Sequence, residues 1–163
     1  MTFHFRKSLK GSLVLMEKEK NYDKIPFLAF LLGYLVPGMG HIYIGKKGKG
    51  LFFLVLLLGT FLFGFYLCDG SEVAPWQKNG YGKIERRYSF LAQAGIGLAA
   101  WIPAGLQGFT IPVQEKEGGI IEPRWSLGLL YMMISGILNL LVAQDAYEKA
   151  VFLKKALKQE KKE

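Results

Sequence analysis

The chain has few of the residues that build metal sites or reactive centres. Only one of its 163 residues is a cysteine, Cys68, which excludes an intramolecular disulfide and a cysteine-based metal cage. The two histidines, His4 and His41, are too few for a multi-histidine metal site. The sequence also contains no nucleophile elbow, no phosphate-binding glycine loop ahead of a soluble helix, and no paired buried carboxylates. We therefore assign no catalytic residue, no metal ligand and no cofactor.

Long apolar segments dominate what is present. Hydrophobic residues make up 51% of the chain, and a bilayer core of about 30 Å is crossed by about 20 helical residues. Segments of about this length occupy residues 25–44, 51–68, 90–111 and 126–144. We therefore predict an all-α fold, an integral membrane four-helix bundle whose four spans form one domain over residues 25–144.

Two prolines predict the shape of the first and third spans. Pro37 and Pro103 each clash with the carbonyl four residues earlier, which predicts kinked spans rather than broken ones. Small residues also recur four or eight positions apart in the third span, at Ala92, Ala100, Ala104 and Gly108. This spacing lets backbones approach closely, so we expect the third span to pack against the other three.

The segments outside the four spans carry most of the charge. Residues 1–24 are predicted to be a basic interfacial segment, and residues 145–163 a basic helical tail that continues the last span. Between the second and third spans, Asn79-Gly80 is a turn signal that is compatible with a short β-hairpin, although the predicted fold class contains no strand. The net charge is +8. The basic residues flank the spans instead of forming one patch on a soluble domain, which argues against a nucleic-acid partner.

The basic residues predict an orientation. With four spans, 16 Lys and Arg residues lie on the side of the termini and 5 on the other, so the positive-inside rule predicts that both termini are cytoplasmic. If residues 25–44 were a re-entrant hairpin and the other three segments still crossed, the split would be 11 to 10. Four full spans are therefore the preferred interpretation.

A basic turn between the first two spans is the candidate binding site. Lys46, Lys47 and Lys49 alternate with glycines at positions 45, 48 and 50. Ammonium groups and accessible backbone N–H groups at the start of a helix favour an anionic ligand, here a lipid headgroup. The alternative is that these lysines are only a solvated stop signal.

Four polar residues lie inside or beside the spans: His41, Asn139, Gln144 and Asp145. An ionisable residue within a membrane suggests function, but structural roles are preferred: His41 bonding the distorted backbone after Pro37, and Asn139 bonding across helices. In the four-span arrangement His41 and Asp145 differ in depth by about 25 Å. An acid–base pair must approach to about 3 Å, so we predict that these two residues cannot act together.

The sequence around the basic turn contains a motif that also occurs in known membrane proteins. Residues 33–50 read GYLVPGMGHIYIGKKGKG and precede a long apolar run, with motif residues Gly33, Pro37, Gly38, Gly40, His41, Tyr43 and Gly45. This pattern is similar to the hairpin of the two-span "TM-two" type domain, in which a Pro-Gly-x-Gly-His motif and a Tyr-x-Gly-basic turn join two helices. It also resembles a bacterial family of small four-span inner-membrane proteins of unknown function, whose C-terminal end resembles residues 138–147. The resemblance implies a bacterial inner-membrane location and no established substrate.

Three functions follow as alternatives. The preferred one is a non-enzymatic accessory or scaffold subunit of a membrane complex. The second is a lipid- or ion-handling protein that uses the basic turn, and the third is a membrane enzyme or pigment-binding subunit that uses His41. The expected partners are anionic membrane lipids and a membrane-protein complex.

Overall fold

The computed structural model describes residues 25–79, 81–111 and 123–160. The predictions for residues 1–24 and for the last three residues of the tail lie outside the described residues, as do residues 80 and 112–122. The elements in chain order are α1 (Pro26–Leu35), α2 (Met39–Tyr43), α3 (Lys47–Leu67), β1 (Trp76–Lys78), β2 (Ile84–Arg86), α4 (Ser89–Gln93), a 3-10 turn (Ala94–Ile96), α5 (Leu98–Leu106), β3 (Thr110–Ile111) and α6 (Pro123–Glu160).

The two long helices form the frame of the molecule. Both α3 and α6 are long and apolar enough to cross a membrane. They run antiparallel: Ser135 Oγ donates to the Leu57 carbonyl at 2.6 Å near the middle, and Cys68 Sγ donates to the Trp125 carbonyl at 3.4 Å at one end. At 38 residues, α6 is about 57 Å long, so it continues well past the apolar stretch that ends at residue 144.

The first predicted span is instead a helical hairpin. Helix α1 ends at Leu35, and the chain reverses at Gly38, which has φ +77°. Because α2 then runs back, the Ile25 backbone N–H donates to the Tyr43 hydroxyl at 3.2 Å, and the two ends of the segment lie side by side. The prediction of one kinked span is wrong here: Pro37 disfavours helix at the residue before it, and Gly38 supplies the left-handed turn. We call α1 and α2 the first hairpin.

The third predicted span is also folded back. The helix pair formed by α4 with the 3-10 turn and by α5 is bent by 119°, at Gly97 rather than at Pro103, which lies inside α5. Strand β1 pairs with both β2, which precedes this segment, and β3, which follows it, and Gln107 Nε2 donates to the Gly70 carbonyl at 2.6 Å. Both ends of the segment therefore lie at the same end of the molecule, and we call it the second hairpin.

The small three-stranded sheet was only partly expected. Strands β1 and β2 pair antiparallel, with Trp76 opposite Arg86 and Lys78 opposite Ile84. The turn signal at residues 79–80 is compatible with this pairing, but the predicted all-α fold class did not include it. The third strand, β3, pairs parallel to β1 and was not predicted, so the all-α fold class needs this correction.

The two hairpins enter from opposite ends of the molecule. We call the end formed by residues 45–50 and by α6 from Asp145 onward the basic face, and the end formed by residues 69–87 and 107–111 the sheet face. The first hairpin begins and ends at the basic face, and the second begins and ends at the sheet face. Their tips touch, since a Cβ atom built on Gly97 would lie 2.1 Å from the Tyr34 carbonyl oxygen.

Helix α6 is the element around which the others pack. It contacts α1, α3 and α4, and its contacting positions carry small residues. A Cβ atom on Gly136 would lie 1.9 Å from the Ala92 carbonyl oxygen, and Ala143 lies against Gly33. The prediction that the third segment is the central one is therefore wrong. Ala100 and Ala104 of that segment are buried, but they belong to the short α5.

Candidate functional site

One oxygen atom of Asp145 is the centre of the polar cluster at the basic face. His41 Nε2 lies 2.8 Å from Asp145 Oδ2, and Lys49 Nζ donates to the same oxygen at 3.0 Å. Lys149 Nζ donates to it as well. The cluster therefore joins α2, α3 and α6, and we call these four residues the Asp145 cluster.

The contact between His41 and Asp145 overturns a prediction. A full first span predicts that the two residues differ in depth by about 25 Å. Since the first hairpin returns to the basic face, it brings His41 back to Asp145. The expected bond from His41 to the backbone after Pro37 is replaced by this side-chain bond.

The His41 ring is held from the inside of the molecule. The His41 side chain is fully buried, and its ring centroid lies 5.3 Å from the ring centroid of Phe53. Lys49 Nζ lies over the Phe53 ring, 5.4 Å from its centroid. Because an ionised carboxylate only accepts hydrogen bonds, Nε2 carries a proton and donates a hydrogen bond to Asp145. His41 Nδ1 is buried and has no hydrogen-bond partner among the described residues.

The charges around Asp145 keep it ionised. Asp145 lies just past the apolar part of α6. Burial alone would raise the pKa of its carboxyl group, but the hydrogen bonds from Lys149, Lys49 and His41 outweigh this and hold that pKa well below its usual range. Asp145 is therefore a stable carboxylate that organises the cations around it.

A second polar centre lies where the two hairpin tips meet. Asn139 Nδ2 donates to the Tyr34 carbonyl at 3.1 Å and to the Gly95 carbonyl at 2.9 Å. The Tyr34 hydroxyl in turn donates to the Ala94 carbonyl at 3.2 Å. This agrees with the expectation that Asn139 bonds across helices, and it ties both tips to α6.

A third polar group, which the sequence did not predict, lies at the sheet face. Arg87 is paired with Glu72, and both side chains are largely buried. Arg87 Nη1 and Gln93 Nε2 also donate to the Glu72 carbonyl, at 3.1 and 3.2 Å. These bonds fix the loop after α3 to the start of the second hairpin.

Several predicted site residues lie outside the Asp145 cluster. Lys46 and Lys47 are exposed on the turn, and Gln144 points outward, where it donates to Glu148 Oε1 at 3.3 Å. Lys149, by contrast, was missed. Its spacing of four residues from Asp145 on a continuous helix was the signal that could have found it.

The remaining motif residues build the first hairpin. A Cβ atom on Gly40 would lie 2.3 Å from the Ala29 carbonyl oxygen, so this glycine lets α1 and α2 touch. Gly45 has φ +91° in the turn that leads to α3, and Tyr43 accepts the bond from Ile25. The motif therefore specifies a backbone shape that carries His41 to Asp145.

The chemistry available to the Asp145 cluster is narrow. Within the described residues, no three His, Cys, Asp or Glu side chains are placed to share a metal ion. His41 is buried, whereas the Lys49 and Lys149 side chains are 41% and 28% exposed. A ligand can therefore reach the two ammonium groups and the Asp145 carboxylate between them, whose side chain is 39% exposed.

Comparison with known proteins gives a family and nothing more specific. No curated protein and no solved structure matches the chain. Residues 28–159, which include both hairpins and both long helices, match a family of unknown function, DUF6677. This agrees with the expected resemblance to a family of unknown function, and the chain belongs to the DUF6677 family.

Proposed function

We propose that the protein is a non-enzymatic integral membrane protein that acts as an accessory or scaffold subunit of a membrane complex. One observation carries the proposal. The fully buried polar side chains of the described residues are His41, Gln93, Ser135 and Asn139. Each bonds a part of the chain outside its own helix, and three of them do so through a backbone carbonyl. Polar groups used in this way stabilise an arrangement of helices.

The proposed membrane arrangement has two spans, α3 and α6, and two re-entrant hairpins. The basic face then carries 15 of the 21 Lys and Arg residues, counting the chain segments attached to it, and the sheet face carries six. The six are Lys78, Lys83, Arg86, Arg87, Lys116 and Arg124. The positive-inside rule therefore places the basic face, with both termini, in the cytoplasm. A bacterial inner membrane is the location that the sequence resemblance implies.

A membrane enzyme or proton relay is the second candidate, and the bond of 2.8 Å between His41 and Asp145 favours it. A relay requires a carboxylate that takes up a proton. Two ammonium groups on Asp145 Oδ2 oppose this, because each stabilises the charged form. A buried imidazole is also out of reach of a substrate on the basic face, so the scaffold proposal is preferred.

His41→Gln separates the two candidates. We expect cross-linking in intact membranes, followed by gentle solubilisation and mass spectrometry, to recover a membrane-protein partner in a fixed ratio. That ratio should be the same in the wild type, in His41→Gln and in the control His4→Gln, because a scaffold does not use the imidazole for chemistry.

Two outcomes would contradict the scaffold proposal. One is a chain that is recovered alone from cross-linked membranes. The other is a proton flux in vesicles containing the purified protein that His41→Gln abolishes while the thermal unfolding of the variant stays cooperative. The second result would favour the relay.

A further inference from the structure

We propose that the basic face binds the phosphate group of an anionic phospholipid between Lys49 and Lys149. The inference rests on the proposed placement of this face at a membrane surface, and it adds a ligand and the residues that contact it. Both ammonium nitrogens bond the same atom, Asp145 Oδ2, so they lie no more than about 6 Å apart. A phosphate group has several oxygen acceptors and can bridge two donors at this separation.

The charges of the cluster favour an anion. Lys49 and Lys149 carry two positive charges, and Asp145 supplies one negative charge. Each ammonium group has three N–H donors, of which the bond to Asp145 uses one. The site therefore has a net positive charge and donors that point away from Asp145. In addition, the first turn of α3 has neither a capping side chain nor an acidic residue, so its N-terminal dipole also favours an anion.

The cluster is organised before any ligand arrives. His41 holds Asp145 from the buried side, and the Phe53 ring contacts both His41 and the Lys49 ammonium group. Lys149 is four residues from Asp145 on the same helix. Because the lysines are already held together, a bound phosphate pays little of the ordering cost that two free lysine side chains would impose.

The surface beside the cluster favours a lipid over free phosphate. Lys49 lies just before the apolar part of α3, at the depth expected for headgroups. Phe52 and Leu56, three and seven residues further along that helix, are 61% and 48% exposed. Positions separated by three, four or seven residues share one face of a helix. A headgroup at Lys49 therefore places an acyl chain along this apolar surface.

This site differs from the one that the sequence suggested, and the difference provides a matched control. Lys46 and Lys47 belong to the same basic turn but do not bond Asp145, whereas Lys149 comes from a distant part of the chain. Removing either pair removes two positive charges from the same face. Only removal of Lys49 and Lys149 removes the organised donors.

The experiment measures lipid retention by native mass spectrometry of the full chain with phosphatidylglycerol or phosphatidylcholine. We expect the wild type to prefer phosphatidylglycerol by about tenfold, as two nearby lysines allow. Lys49→Gln with Lys149→Gln should reduce this preference by about fivefold, and Lys46→Gln with Lys47→Gln by less than about twofold. Equal losses from both pairs, or no preference in the wild type, would overturn the proposal.

Asp145→Asn provides an independent test. It raises the net positive charge of the basic face, so diffuse electrostatic attraction predicts stronger retention of phosphatidylglycerol. An organised site predicts weaker retention, because the neutral amide oxygen of asparagine holds two ammonium groups together less strongly than the ionised carboxylate does. Stronger retention would overturn the proposal, as would inorganic phosphate that displaces the bound lipid at low millimolar concentration, since that result indicates a site for free phosphate.

The wild-type lipid preference keeps the proposal testable even if a variant fails to fold. Failure of the lipid-binding proposal is also distinguishable from failure of the proposed scaffold function. Absence of a lipid preference leaves the membrane arrangement and any protein partner unaffected, whereas a basic face found outside the cytoplasm contradicts the arrangement itself.

Discussion

At the scale of single residues, Asn139 shows how broken helices are tolerated in an apolar core. The Tyr34 and Gly95 carbonyls belong to the last turns of α1 and of the 3-10 turn, where no later backbone N–H of the same helix is available. Asn139 donates to both. One side chain on α6 therefore satisfies the ends of two helices that enter from opposite faces.

Asn139→Leu, which keeps a similar volume, should destabilise the protein by about 1–3 kcal/mol. Both carbonyls would lose their donor, and hydrogen bonds inside membranes contribute amounts in this range or somewhat below it. Thermal unfolding in detergent measures the change. The control is Leu141→Ala, since Leu141 lies two residues away on a different face of the same helix and is exposed. A Leu141→Ala variant that is destabilised as much as Asn139→Leu would contradict the role given to Asn139.

The sequence identified Asn139 and His41 as polar residues in apolar segments but not their partners. Asn139 bonds carbonyls that exist as free acceptors only because two helices end nearby. His41 reaches Asp145 only because the first segment turns back. In both cases the partner depends on a backbone reversal, which the side-chain pattern alone does not predict.

At the scale of the elements, the two hairpins depend on glycines at their tips. An apolar segment of about 20 residues is long enough to span a bilayer or to enter it and return, so length did not distinguish the two. Gly38 follows Pro37, and together they were a usable signal for a reversal. Gly97 had no such neighbour, and its role became evident only from its contact with the Tyr34 carbonyl.

Gly97→Ala should destabilise the protein by about 2 kcal/mol or more, because φ is +73° and the new Cβ would meet the Tyr34 carbonyl oxygen. Gly59→Ala is the matched control. Gly59 lies within α3, and a Cβ atom built on it would meet no atom outside the adjacent helix backbone within 4 Å, so its replacement should stabilise the helix by about 0.5–1 kcal/mol. Thermal unfolding of both variants measures these opposite effects. A neutral Gly97→Ala would show that the tips do not touch.

At the scale of the whole molecule, the chain repeats one plan in opposite orientations. The first hairpin is followed by α3, and the second hairpin is followed by α6. Each half contains one long helix, which carries the chain from one face of the molecule to the other. The second half therefore starts at the opposite face and is inverted with respect to the first. This arrangement is also found in transporters built from inverted repeats. No repeat is evident in the sequence, since the halves share a backbone plan rather than a residue pattern.

The charge pattern could not distinguish this arrangement from four spans. If one segment is a hairpin, the two sides of the membrane receive nearly equal numbers of basic residues. If both segments are hairpins, the sequence segments assigned to the cytoplasmic side contain 15 of the 21 basic residues. The long helices were predicted correctly because an uninterrupted apolar run admits few alternatives. The charge pattern did not indicate the hairpins, because each hairpin reverses the predicted side of every segment after it and two reversals cancel.

Single-cysteine accessibility in intact membranes tests this arrangement most directly, in a Cys68→Ala background that removes the only native cysteine. Lys47→Cys reports the turn between the first hairpin and α3, and Lys158→Cys reports the end of α6. Two spans with two hairpins place both positions on one side, so an impermeant thiol reagent should label both from the cytoplasm and Lys78→Cys from the opposite side. Labelling of Lys47→Cys and Lys158→Cys from opposite sides would contradict the account.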